Sequence, residues 1–358
     1  MANILDYVAW RSDLSFKKNK FNKIDALVFT QLIYLELTDF VPDYCSDDTR
    51  RLEDVLDEFF EGKSISNMSV GLILPKEILK LAYEIKNTKR FKNVYMSNHI
   101  NLIDKEHKCQ FSAVCFHINE EDIVISFSGT DDTLIGWQEN LQMLNTFPIP
   151  AQKLAQKYVN DIIELYPNSN IYITGHSKGG NLAAFSAIYC KDSYKDKIKA
   201  VYCFDSPGFR KITINHDKFE MVKDKIVNII PKSCIIGLIF EPYAGKTIVC
   251  DSNVKGLRQH DAFSWMISKT KFIKVDDVTD GAKKFDASLK VMLKNLTEEQ
   301  TNELANNIYS FILELNKNTL VEVQKDYIRF VKLLNRITPY NRKLFMTLVM
   351  NLIKYKLL

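Results

Sequence analysis

The chain has no Cys-x-x-Cys pair, no apolar run of membrane-spanning length, no block of like charge and only 12 glycines in 358 residues. Each shortage excludes something. The seven cysteines (Cys45, Cys109, Cys115, Cys190, Cys203, Cys234, Cys250) stand far apart, so neither a zinc site nor a dithiol redox motif is expected. Their number is odd, and several fall in apolar, strand-like runs such as Val201-Tyr202-Cys203-Phe204, which predicts buried free thiols in a reducing compartment. The longest apolar candidates, 235–240 and 344–353, fall short of the ~20 residues a membrane span requires. The first residues carry no basic stretch followed by an apolar one, so a secretory signal is not expected and the cytoplasm is the expected location. The net charge of +4, from 48 basic and 44 acidic residues, is too small an excess to point to nucleic acid or an anionic membrane.

What is present is the composition of a globular protein, 46% hydrophobic and 26% charged, on a chain long enough to bury a large core. Three regions differ in texture. Residues 1–90 read as a helical segment packed on the core, with one helix beginning near Asp25, a second over 48–60 and a third over 75–86. Residues 91–282 read as the core. There 93–103 and 110–118 predict an antiparallel pair, 123–128 a further strand, and from then on strands (171–174, 199–204, 226–230, 246–250) alternate with helices. One of those helices carries Leu154, Tyr158, Val159, Ile162 and Ile163 on one face, and another runs from Lys178 to Cys190. That alternation predicts an α/β fold, a mostly parallel central sheet with helices on both faces. Residues 283–358 read as a helical extension: Thr297-Glu298-Glu299-Gln300 has the form of a capping box, Leu304, Ile308, Phe311, Ile312 and Leu315 then share a face, and Pro339 breaks the pattern after a helix over 319–335. Its apolar faces could cover the core, each other or a second copy of the chain.

The chemistry concentrates at Gly175-His176-Ser177-Lys178-Gly179, between an apolar strand and a helix-forming run. A serine hydroxyl attacks only when it projects from the fold and a base takes its proton. A sharp strand-to-helix turn gives the projection but crowds the backbone, so the residues two before and two after must be glycine, as Gly175 and Gly179 are. A tetrahedral oxyanion needs backbone N–H donors. Lys178 follows the serine directly, and Gly129-Thr130, after the strand ending near Ser128, is placed to supply the second. Of six histidines only His260 lies downstream of the serine and beyond the last strand, where the base belongs. His176 is adjacent to the serine, and its side chain is expected to point into the fold. For the acid, Asp205 ends the strand 201–204, and strand ends face the crevice of such sheets. Asp251, after 248–250, and Glu241 are the alternatives; Asp261 sits too close in sequence to His260 to reach its ring.

Assembled, these residues resemble the class 3 (fungal-type) lipases of the α/β-hydrolase superfamily and, more closely, a set of uncharacterised bacterial lipase-like proteins. The resemblance spans about 110–265 and rests on Phe111-Ser112-Ala113-Val114 through Ser128-Gly129-Thr130, on Gly136-Trp137-Gln138-Glu139-Asn140-Leu141, and on Gly175-His176-Ser177-Lys178-Gly179-Gly180. It implies an α/β-hydrolase fold, Ser177 as nucleophile, Thr130 and Lys178 as oxyanion hole, His260 as base, and acyl esters or lipids as substrates. Two departures stand out. The family's acid follows the strand after the one ending in Asp205, and the matching stretch, 229–234, carries no carboxylate; other lipases of the superfamily place the acid where Asp205 falls. Lys178 stands where an apolar residue is common, and an ammonium near the site would favour anionic substrates.

The expected activity is therefore carboxylic ester hydrolysis through an acyl-enzyme on Ser177, with no metal or organic cofactor, since the serine carries the acyl group. A thioesterase or other acyl hydrolase uses the same groups. A non-catalytic binding protein on a hydrolase fold is the reading from another class. Segment 131–150, with Trp137, Phe147, Pro148 and Pro150, could flank an acyl pocket, form a lid or pack in the core. The C-terminal helices could join two copies of the chain or lie on a membrane surface.

Overall fold

Apolar residues alternate along the strands so regularly that two separate cores form, one on each face of the central sheet. In the computed structural model, which describes residues 2–70, 74–131, 133–144, 146–210, 213–293, 296, 297, 299, 300, 303 and 339–355, the sheet has eight strands. They are β1 (Arg50–Arg51), β2 (Tyr95–Asp104), β3 (Cys109–His117), β4 (Asp122–Phe127), β5 (Asn170–His176), β6 (Ile198–Phe204), β7 (Ile226–Pro231) and β8 (Lys246–Cys250), side by side in chain order. Pairing is antiparallel from β1 to β4 and parallel from β4 to β8.

The helices divide between the faces: α1 (Ile4–Arg11), α2 (Lys23–Leu32), α3 (Leu52–Phe60) and α4 (Glu77–Ile85) come before the hairpin, and α5 (Leu134–Gln142), α6 (Pro150–Leu165), α7 (Lys178–Tyr189) and α8 (His216–Glu220) join the parallel strands. Crossovers of one hand along a sheet laid down in chain order all fall on the same face. Accordingly Ile125, Phe127, Ile173, Val201 and Cys203 pack with α6, α7 and α8. Their neighbours in sequence, Val124, Tyr202 and Phe204, pack with α1 to α4 on the other face. The N-terminal helices thus cover a surface that the crossovers leave open.

Local chemistry explains the N-terminal helices. Asn3 and Asn22 each cap a helix, accepting from the amides of Leu5 (2.9 Å) and Ile24 (2.8 Å), while Asp6 and Asp25 bond back to the cap amides. Asp25 is also fully buried against Arg90, with oxygens 2.7 and 2.6 Å from Nε and Nη2, and takes the Tyr7 hydroxyl at 2.7 Å. Arg90 spends its remaining donors on the carbonyls of Leu14, Asn19 and Lys20. Leaving one partner of such a buried pair alone costs about 3–5 kcal/mol, so this network holds α1, α2 and the loop between them to the stretch at Arg90 that leads into β2.

Some boundaries differ from the sequence reading. The helix expected over 48–60 starts at Leu52, because Arg50 and Arg51 pair with Met96 and Tyr95 as an edge strand. The one expected over 75–86 runs from Glu77 to Ile85. Six of the seven cysteines are buried and all seven are free, but Cys45 is exposed. A short hairpin, β9 (Ile267–Ser268) with β10 (Lys271–Phe272), follows the sheet and was not foreseen. In the C-terminal region Thr297 and Gln300 do bond reciprocally, amide to side chain, at 3.0 and 3.2 Å. The positions Leu304, Ile308, Phe311, Ile312 and Leu315 and the helix expected over 319–335 lie outside the described residues. Helix α9 (Asp280–Leu293) packs Phe285 and Leu289 with Ile235 and Leu257 of the core and with Tyr355, just beyond α10 (Pro339–Lys354).

Candidate active site

The turn between β5 and α7 holds Ser177 at φ +56°, a left-handed conformation that a side chain adopts only when its surroundings force it. Gly175 and Gly179 do the forcing. A Cβ on Gly175 would sit 2.2 Å from the Gly179 carbonyl, and one on Gly179 would sit 2.2 Å from the Phe127 carbonyl oxygen, so the turn closes this tightly only with glycine at both places. Ser177 is partly exposed while its four neighbours, Gly175 to Gly179, are buried, which leaves the hydroxyl at the surface of a rigid turn.

Asp205 follows β6, the next strand, and is fully buried, also with a positive φ of +39°. One carboxylate oxygen accepts the Gly237 amide at 3.0 Å and the other lies 2.7 Å from Nδ1 of His260. His260 ends a short 3-10 turn, Gly256–His260, beyond β8, and its side chain is about one-third exposed (32%). With Nδ1–H donated to the carboxylate, Nε2 keeps the lone pair that a general base requires. The structure thus brings Asp205 and His260 together. It does not bring Asp251 to the histidine: that carboxylate pairs with Lys232 at 2.5 Å and takes the Ser252 amide. Glu241 faces Lys290, and Asp261 caps the turn at Phe263.

The loop after β4 closes against the serine. A Cβ on Gly129 would lie 3.2 Å from Ser177 Cβ, so this glycine permits the approach. The Thr130 hydroxyl accepts from the Asn140 side-chain amide on α5. The side chain of Lys178 overturns the expected ammonium at the substrate. It is 1% exposed and points into the fold, where Nζ donates to the Gln110 carbonyl (2.7 Å), to Gln110 Oε1 (2.5 Å) and to Glu139 (2.9 Å). An ammonium sealed in this way offers no selectivity for anionic substrates.

Three residues that sequence reasoning gave no role in the site meet it. His176 is buried, its ring centroid 4.5 Å from that of His260. Its Nε2 lies 2.9 Å from the His260 carbonyl oxygen and its Nδ1 3.4 Å from the Tyr34 hydroxyl, which in turn accepts the Gly129 amide at 3.1 Å. One proton arrangement satisfies the chain: Gly129 N–H to Tyr34, Tyr34 O–H to Nδ1, Nε2–H to the carbonyl. It requires neutral His176, and burial, aided by the neighbouring His260, pushes that imidazole well below its ordinary range. Tyr34, just after α2, thereby ties the N-terminal segment to both the Gly129 loop and the His260 loop. Glu139 is the third, through its pair with Lys178. No spacing rule links Tyr34 or Glu139 to an elbow over 35 residues away in the chain.

Phe147 of the 131–150 segment packs edge-on against Phe185 and Phe209. Phe147 and Phe209, with Met143, Asn181, Arg210 and Phe240, line a small cavity beside the first turn of α7. The Trp137 side chain is outside what the structure describes. Among the described residues no group of three or more His, Cys, Asp or Glu side chains has metal-binding geometry, and no helix is long and apolar enough to cross a membrane.

A mostly parallel sheet covered on both faces, with a serine elbow at the end of one strand and a carboxylate at the end of the next, is a lipase-like α/β-hydrolase fold. Residues 85–310 match the Mbeg1-like model, and the chain belongs to the Mbeg1-like family. Among solved structures it is similar to MDLA of Penicillium cyclopium, at 13% identity and a TM-score of 0.40 over 72% of this chain and 87% of that one. It is also similar to a fungal lipase–inhibitor complex (12%, TM-score 0.36, 63% and 77%) and to the Lip2 lipase of Yarrowia lipolytica (13%, TM-score 0.32, 60% and 86%). At such identities and TM-scores these likenesses assign nothing to this chain. No curated protein matches the chain.

Proposed function

We propose that the protein is a serine hydrolase that cleaves carboxylic esters through an acyl-enzyme on Ser177. The observation that carries this reading is the 2.7 Å hydrogen bond between Nδ1 of His260 and the buried Asp205 carboxylate, at the end of the strand next to the one whose elbow holds Ser177. In the proposed mechanism Nε2 of His260 takes the Ser177 proton as the hydroxyl oxygen attacks the acyl carbon. Asp205 holds the tautomer and offsets the imidazolium charge. The amides of Thr130 and Lys178 donate to the oxyanion. The imidazolium then returns its proton to the leaving alcohol, and water, activated by the same nitrogen, releases the acid and regenerates the serine. No metal or organic cofactor enters these steps.

The binding-protein reading drew its support from the missing carboxylate after β7. Asp205, one strand earlier, is within reach of the imidazole and removes that ground. The reading extends to thioesters because the attacked carbon is the same.

Labelling with a fluorophosphonate probe tests the proposal. Wild type is expected to be labelled, Ser177→Ala not at all, and His260→Ala only slowly. Labelling that survives in Ser177→Ala, or a folded wild type that neither labels nor hydrolyses p-nitrophenyl esters of any chain length, would overturn it.

A further inference from the structure

Lys178 and Glu139 form an ion pair whose side chains are 0% exposed, beside a catalytic elbow that on the proposed mechanism uses neither charge. Burying two ions is costly, and an apolar pair of similar volume would hold a core at least as well. What an apolar pair could not do is visible in the other partners of Glu139. Its carboxylate accepts the Gln110 amide on β3 (3.2 Å), the Ala151 amide at the start of α6 (2.9 Å) and the Lys178 ammonium on the first turn of α7 (2.9 Å). One group on α5 thus grips three elements. The next residue, Asn140, holds the hydroxyl of Thr130. Lys178 is the residue whose own amide lies directly after the nucleophile. The pair therefore spans the two places from which oxyanion donors come.

We infer that Glu139, acting through its buried pair with Lys178, is a positioning residue for the oxyanion site: it locks α5, and with it the Thr130 loop, to the first turn of α7, so that both donors stand ready before substrate arrives. This rests on the serine-hydrolase reading above. Donors preset toward the developing charge need no reorganisation during reaction, and their misplacement is felt in the transition state more than in substrate binding.

The test compares wild type, Glu139→Gln and the double variant Glu139→Gln with Lys178→Met, measuring thermal midpoint, kcat and KM on p-nitrophenyl butyrate, and inhibition by an alkylboronic acid, which forms an anionic tetrahedral adduct on the serine. The single variant leaves an ammonium facing an amide and is expected to be less stable. The double variant removes that stranded charge and is expected to regain most of the stability. In both, kcat is expected to fall by about 100-fold, the size of losing an oxyanion donor, and the boronic acid to bind correspondingly more weakly, with KM little changed. If kcat returns together with stability in the double variant, or stays at the wild-type value in both, the pair is only structural and the inference fails. If wild type itself neither turns over ester nor reacts with fluorophosphonate, the hydrolase reading fails first and takes this one with it.

Discussion

Two residues with side chains, Ser177 and Asp205, hold positive φ angles at the ends of adjacent parallel strands. Each such conformation costs on the order of 1–3 kcal/mol and persists only where the surroundings over-determine it. At Ser177 the glycines at 175 and 179 do this, and the elbow was legible in the sequence because sterics there permit one pattern. Replacing Gly179 by alanine would drive a methyl into the Phe127 carbonyl, and a loss of at least about 1–3 kcal/mol is expected by chemical denaturation. Asp205 was legible only as one of several strand-end acids, since choosing among them needs the distance to His260. That distance makes a sharp forecast. Asp205→Asn should lower kcat on the order of 10⁴-fold, as when a triad carboxylate becomes an amide and the imidazole takes the wrong tautomer, while Asp251→Asn should leave it unchanged. A loss confined to Asp251→Asn would reassign the acid.

At the scale of elements, strands were easier to read than helices. Every strand of the parallel half, β4 to β8, lies within two residues of its expected span, because apolar runs between polar turns leave little freedom. The start of α3 was misplaced because Arg50-Arg51 pairs with β2, a tertiary event that no local pattern announces. Equally illegible was the contact of the N-terminal segment with the site. Tyr34 follows α2 in a run that reads simply as an apolar helix face, yet its hydroxyl joins the Gly129 loop to His176, and His176 in turn holds the carbonyl of His260. Tyr34→Phe removes one oxygen and leaves the Gly129 amide without that partner. Its kcat on p-nitrophenyl esters is expected to drop about 10- to 100-fold, because loops slightly misplaced at the reacting centre are costly, with a fall in thermal midpoint of only a few degrees. Wild-type kinetics in this variant would confine Tyr34 to packing.

Across the whole molecule, buried histidines set the response to acid. His99, His117 and His176 are all lowered from the ordinary 6.5 mainly by burial, His117 to about 4. A group with a depressed folded pKa binds its proton more readily in the unfolded chain, so its contribution to stability is present above about pH 6.5 and is lost as the pH falls toward the folded value. The thermal midpoint is therefore expected to decline from pH 6.5 toward 4, with the decline beginning above the range in which ordinary carboxylates titrate. His117→Gln, which keeps a polar group against the Ser97 hydroxyl, should flatten part of that slope. A midpoint that stays level from pH 7 to 4 would contradict this account.

The central claim is that Ser177 becomes acylated during turnover. Rapid mixing of a p-nitrophenyl ester with a known concentration of protein, followed by acid quench and intact-mass analysis, tests it most directly. The account predicts an initial release of p-nitrophenol stoichiometric with the protein, and a mass gain equal to one acyl group that maps to the peptide containing Ser177 and disappears in Ser177→Ala. An adduct mapped to another residue, such as the exposed Cys45, or steady turnover that persists in Ser177→Ala, would contradict it.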